Sequence, residues 1–186
     1  GLDESEKISG SVKSSIKSRL PWLIVNLGTA ILAAATVSLF ENTIEKIVAL
    51  ATFMPIVAGM GGNAGTQTLT MIIRGIALGE LNFENEKEVL KKEILVGLVN
   101  GTCLGIIVAT LGLLWVGNPV FGLVIGIAMF LNLVIATIAG YFVPLILKKI
   151  NVDPALASGV FVTTVTDVLG FFFFLGLATL MINFLI

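Results

Sequence analysis

The sequence contains no histidine, a single cysteine and few charges. Each shortage excludes something. One cysteine, Cys103, forms no disulfide within the chain, and without histidine the soft-metal clusters and the usual zinc and copper sites lack their ligands. Cys103 stands in an apolar run and is expected to pack as a small hydrophobe. Only 12% of residues are charged, whereas soluble domains carry about a quarter, and 56% are hydrophobic, with mean hydropathy +1.05. The net charge is −1 and the pI about 5.4, so no basic surface points to nucleic acid. What is present is an all-α integral membrane protein with a single membrane domain in contact with the lipid bilayer.

Residues 1–19 are polar and show no signal-peptide pattern. The start reads as a cut end, so a soluble part is expected ahead of it. Within residues 5–20, Ile8, Val12, Ile16 and Leu20 recur every four positions with Lys7, Lys13, Lys17 and Arg19 between them. That spacing predicts a short amphipathic linker helix at the cytoplasmic surface. Five apolar spans follow in residues 20–186. The first runs from about Leu20 to Phe40, with Pro21 in its first turn. A short loop, Glu41 to Lys46, leads to the second, Ile47 to Ile73. A polar loop from Arg74 to Glu93 ends in a helical lead-in with Glu88 and Lys92 spaced for an ion pair. The third span is Ile94 to Val116. Asn118-Pro119 caps and starts the fourth, which reaches Leu147 and whose last turn Pro144 is expected to kink or loosen. Asp153-Pro154 repeats the cap-then-proline signal and opens the fifth, too long to cross without tilting or letting its end leave the core. Successive loops carry four, one, four, none, two and no Lys or Arg. This alternation predicts a cytoplasmic N-terminus and an external C-terminus in a cell membrane. Five helices enclose a poor pore alone, so a homodimer is expected.

Asp167 is the informative residue of the fifth span. From Ala155 to Ile186 it is the only charged side chain. Twelve residues into that run, at about 1.5 Å per residue, it lies near the middle of a hydrocarbon core about 30 Å thick. A carboxylate there costs about 2.5–3.5 kcal/mol on insertion scales and points to function. Gly159, Thr163, Thr166 and Gly170 share its helical face. The opposite side carries Val160, Phe161, Val162, Val165, Val168 and Phe172. Packing alone accounts for the glycines and threonines, but not for the acid.

The second span holds the other constellation. Pro55, Gly59, Gly61, Gly62 and Gly65 interrupt it, and irregular backbone at membrane depth is tolerated where it lines water or is buried in protein. Gly59, Gly62 or Asn63, Thr66 and Thr70 fall on one face. Hydroxyl, amide and carbonyl oxygens around carboxylates suit Mg²⁺, Ca²⁺ or Mn²⁺. A packing seam with Asn63 and Gln67 as interhelical hydrogen-bonders is the plainer reading of the same face. Composition reaches a divalent-cation path without choosing the metal.

The motifs Pro55-x-x-x-Gly59-x-x-Gly62-Asn63-x-Gly65-x-Gln67 and Asp153-Pro154-Ala155-x-x-Ser158-Gly159-x-x-x-Thr163-x-x-x-Asp167 resemble the transmembrane domain of MgtE magnesium channels. The resemblance covers nearly all the chain from about residue 20. It implies a homodimer whose pore lies at the subunit interface, lined by the second and fifth spans. It implies that Asp167 recognises hydrated Mg²⁺, with the Thr163 backbone carbonyl nearby, and that Gly59, Gly62, Asn63, Thr66, Thr70 and Gly159 line or narrow the pore. Mn²⁺, Co²⁺ and Ca²⁺ stay open as alternative ions. Family members normally carry a cytoplasmic N-terminal domain and a CBS pair that sense Mg²⁺, joined by a long helix of which residues 5–20 would be the end. The expected function is a passive Mg²⁺-selective channel rather than an enzyme. The rivals are a proton- or cation-coupled carrier and a scaffold in which Asp167 is only a structural hydrogen-bonder.

Overall fold

A computed structural model describes residues 10–82 and 84–186. Among these residues there are helices and no strand. They are α1 (Val12–Ser38), α2 (Glu41–Lys46), α3 (Ala49–Ala77), α4 (Glu86–Val116), α5 (Pro119–Lys149), α6 (Pro154–Leu180) and α7 (Ile182–Leu185). By length and composition α1, α4, α5 and the Ser158–Leu180 part of α6 suit a membrane crossing. The α3 helix has 29 residues, but its glycines, threonines, Asn63 and Gln67 dilute its hydropathy.

The two cap-then-proline signals act as expected. Asn118 Oδ1 accepts from the backbone N–H of Val120 at 2.8 Å and of Phe121 at 3.3 Å. Asp153 Oδ1 accepts from Ala155 N–H at 2.8 Å. Each satisfies donors that a helix start leaves free, and proline at the first helical position gives up nothing. Gly117 ends α4 at φ +76°, a left-handed conformation that costs glycine little.

Several boundaries differ from the sequence reading. The first helix begins at Val12 and runs unbroken past Pro21 to Ser38, so the described part of the predicted linker is continuous with the first span. The rest of the linker lies outside the described residues. The expected loop at 41–46 is α2, with Glu41 in its first turn and Lys46 in its last, both favourable to the helix dipole. Thr43 and Thr179 hydroxyls, 2.8 Å apart, join α2 to α6. The expected interruption of the second span is absent: α3 is helical through Pro55 and the glycines. The α5 helix likewise continues past Pro144 to Lys149, with Leu147 buried. The long final run divides at Met181, and Asn118 Nδ2 donates to Phe184 O at 3.1 Å in the short α7. Cys103 is exposed on α4, because the glycines of that helix, and not its cysteine, take the packed side.

The core is organised around α5, which packs against α3, α4 and α6, whereas α1 packs chiefly on α6. Phe121 on α5 meets Phe53 of α3 edge-on, with ring centroids 5.2 Å apart, and Phe174 of α6 at 6.5 Å. All three rings are buried. Along the α4–α5 contact, Gly101, Gly105 and Gly112 face Gly122, Gly126, Ile125 and Phe130. Small residues let the two backbones approach closely where lipid gives no hydrophobic drive between helices.

Candidate cation path

The α3 and α6 helices meet through small residues. A Cβ on Gly65 would lie 2.5 Å from Val162 Cγ1 and 3.7 Å from Thr166 Cγ2, and one on Gly62 would lie 3.8 Å from Thr163 Cγ2. These contacts bring Thr163 beside the centre of α3. Asp167, one helical turn further on, lies at the middle of α6 (Pro154–Leu180).

Beyond that contact line α3 turns a polar face outward. Gly59, Asn63, Thr66, Gln67 and Thr70 are exposed, and Gly62 is half-buried. On α6, Gly159 is exposed, while Thr163 and Asp167 are half-buried. The predicted small and polar stripe of α6 is thus split. Thr166 and Gly170 are buried, Thr166 against Gly65 and Gly170 against Asn132. The side read as bulky and apolar is split too, with Val160 and Val162 buried and Phe161 and Phe172 exposed. A helix packed on two neighbours buries two strips, and residue size alone does not say which strip stays open.

The threonine hydroxyls have a common orientation. Thr66 donates to Gly62 O at 2.8 Å and Thr70 to Thr66 O at 2.8 Å. Thr163 donates to Gly159 O at 3.0 Å and Val160 O at 3.1 Å, and Thr166 to Thr163 O at 3.0 Å. Each hydroxyl proton is spent on its own helix, so the oxygen lone pairs of the exposed threonines point away as acceptors. The Thr163 carbonyl is already engaged by Thr166. Among the described residues no side chain donates to the Asp167 carboxylate. It is an acceptor on a face of acceptors, which is the donor chemistry of a hard cation or its water shell.

No group of three or more His, Cys, Asp or Glu side chains able to hold a metal gathers among the described residues. Mg²⁺ demands six oxygens and usually keeps several waters. Asp167 alone would therefore leave most of the coordination shell of such an ion to other oxygens.

Two polar groups escaped the sequence reading. Glu93, read there as the end of a polar helical lead-in from Glu84, is 4% exposed, and its Oε2 accepts from Thr68 Oγ1 of α3 at 3.1 Å. Lys92 Nζ lies 3.7 Å from Glu93 Oε1 and 3.7 Å from Met71 Sδ, instead of serving Glu88. The α3 and α4 helices do not otherwise pack closely. Between them, backed by α5, is a cavity of about 240 Å³ lined by Gln67, Thr68, Glu93, Asn100 and Thr137 among others. The signal for Glu93 was its spacing: Glu93, Gly97, Gly101 and Gly105 recur every four residues, which puts the acid on the packed strip of α4. Asn132 of α5 is the other, fully buried and bonded to Val57 O of α3 at 2.8 Å. An asparagine within an apolar span was its signal.

Comparison with known proteins adds the family. Residues 54–177 match MgtE, described as a divalent cation transporter. The chain is 39% identical over 165 residues to a magnesium transporter MgtE of Bacillus subtilis, covering 89% of this chain and 37% of that protein. It is 32% identical over 186 residues to the protein of that name in Enterococcus faecalis, covering 100% and 41%. With the Thermus thermophilus protein of the same name it shares 33% identity over 166 residues, covering 89% and 37%. The chain thus spans about two fifths of the length of these relatives. The family match includes both α3 from Met54 and α6 as far as Leu177, so the polar faces just described fall inside it. With its several long apolar helices, the chain is a multi-pass membrane protein and belongs to the MgtE family of divalent cation transporters.

Proposed function

We propose that this chain is a Mg²⁺-selective channel domain that conducts the hydrated ion through a pore between two copies, walled by α3 and α6 of each. The observation that carries this reading is the Asp167 carboxylate, half-buried at the middle of α6 without a donor, on the helical face of Thr163, whose hydroxyl oxygen is oriented as an acceptor. The printed names of the relatives, magnesium transporters all, support the choice of ion. In this reading α3 is the fifth crossing, its low hydropathy reflecting a wall that faces water. Two copies of Asp167 across an axis balance one divalent charge, and water completes the shell that the protein oxygens hold by hydrogen bonds. Gly59, Gly62 and Gly159 keep the walls free of side chains, and Asn63, Thr66, Thr70 and Thr163 supply oxygens. The N-terminus is cytoplasmic and the C-terminus external, so the membrane potential, worth about 2.3 kcal/mol per elementary charge at 100 mV, draws the ion inward. Regulatory cytoplasmic domains precede the chain in the full-length protein.

Uptake into proteoliposomes, followed with a Mg²⁺-sensitive dye, tests the reading. Asp167→Ala is expected to abolish selective Mg²⁺ uptake while the dimer still elutes intact. Wild-type selective uptake by this variant would refute the reading. Uptake that requires an opposing proton gradient would refute passive flow.

A further inference from the structure

Asn132 lies near the middle of α5 and is 0% exposed. Its Nδ2 donates to Val57 O of α3 at 2.8 Å, while its Oδ1 has no hydrogen-bond partner among the described residues. A buried acceptor without a donor is costly. The hydrogen bond that the amide makes offsets this only in part, so stability does not explain an amide here.

Its surroundings do. The amide stands between two glycines on two different helices. A Cβ on Gly170 of α6 would lie 2.6 Å from Nδ2, and one on Gly61 of α3 would fall equally well inside contact distance. Elsewhere along their contact α3 and α6 touch directly, Gly65 against Val162 and Thr166 and Gly62 against Thr163. At Gly61 and Gly170 a planar group from α5 is inserted instead. Gly170 is three residues from Asp167, and Gly61 is two from Asn63. The amide therefore sits behind the two polar faces, on the side away from the path.

We infer that Asn132 is a positioning residue whose amide, wedged between Gly61 and Gly170, fixes the spacing of α3 and α6 and with it the size of hydrated cation that passes. The inference rests on α3 and α6 being the walls of the path. A flat amide suits the gap better than a branched aliphatic side chain of greater volume, and its bond to Val57 O sets its plane.

The test compares Mg²⁺ with Ca²⁺ uptake in the same vesicles, since the two ions differ in size and in how tightly they hold water. Their ratio does not depend on how much protein has folded. Asn132→Ala removes the wedge, Gly61→Ala adds a carbon against it, and the double variant moves bulk from α5 to α3. Contacting residues couple strongly, so each single variant is expected to shift the ratio about fivefold or more, in opposite directions, and the double to return within about twofold of the wild type. Single variants that lower total uptake or thermal midpoint but leave the ratio unchanged would reduce Asn132 to a structural hydrogen-bonder and overturn the inference. If Asn132→Ala does not fold, Gly61→Ala and the double variant carry the comparison, and an unchanged ratio in both overturns it. Asp167→Ala in the same assay separates the two levels. If that variant keeps the wild-type ratio, the path itself is wrong. If it loses selectivity while the Asn132 and Gly61 variants keep theirs, only the wedge is wrong.

Discussion

Two helix pairs in this molecule are rich in glycine, and they use it in opposite ways. Between α4 and α5 the glycines are closed in. A Cβ on Gly122 would lie 2.5 Å from Ala109 O, and one on Gly126 2.8 Å from Ala109 Cβ and 2.9 Å from Gly105 O. On α3 and α6, Gly59 and Gly159 have nothing within 4 Å of where a Cβ would go. The first pair omits side chains so that backbones can touch. The second omits them on a surface the subunit leaves open. Glycine content alone therefore does not single out the proposed path, which rests on glycine beside unfilled space and acceptor oxygens.

The contrast can be broken most forcefully by adding one carbon on each side of it. Gly122→Ala drives a methyl into the α4 backbone and is expected to destabilise the protein by about 1–3 kcal/mol, as overpacking does. Gly59→Ala adds the same carbon in open space and improves helix propensity by up to about 1 kcal/mol. Thermal unfolding in detergent should fall for the first and hold or rise for the second, while uptake by Gly59→Ala should drop. Equal losses of stability at both positions would erase the distinction.

A second contrast lies between two carboxylates, Glu93 of α4 and Asp167 of α6. Glu93 is hydrogen-bonded inside the subunit, and Asp167 is not. Glu93→Gln removes a charged acceptor from Thr68, and hydrogen bonds to charged groups contribute about 1.5–3 kcal/mol. It should lower the thermal midpoint and leave the Mg²⁺ to Ca²⁺ uptake ratio intact, the converse of Asp167→Ala. The smallest effect is expected from Thr66→Val and Thr163→Val. Each exchanges a hydroxyl for a methyl of similar volume, at an exposed position for Thr66 and a half-buried one for Thr163; for Thr66 stability usually changes by less than about 0.5 kcal/mol. Both should slow Mg²⁺ uptake per channel with little change in unfolding.

Much of this was legible before any coordinates. The caps at Asn118 and Asp153 combine side-chain chemistry with a following proline and locate two helix starts. The open face of α3 was readable because one strip collects glycine, hydroxyl and amide. Asp167 stood out as a lone acid in an apolar run. Tertiary context decided the rest. Thr166 and Gly170 share the helical face of Asp167 in sequence, yet α3 and α5 cover them, because α6 packs on both. Pro55 and its glycines read as a break, but α3 stays helical through them. The burial of Glu93 was missed because a charge in the lead-in to a span looks solvated, and only its fourfold register with Gly97, Gly101 and Gly105 argues otherwise.

The hydroxyl protons handed inward along α3 and α6 have an outcome for acidity. Threonine and asparagine oxygens neither gain nor lose a proton between mildly acidic and alkaline conditions. In the proposed pore, the lining they form would keep one polarity whatever the surrounding medium, and any acid-induced switching of permeation along it would fall to Asp167 of each subunit.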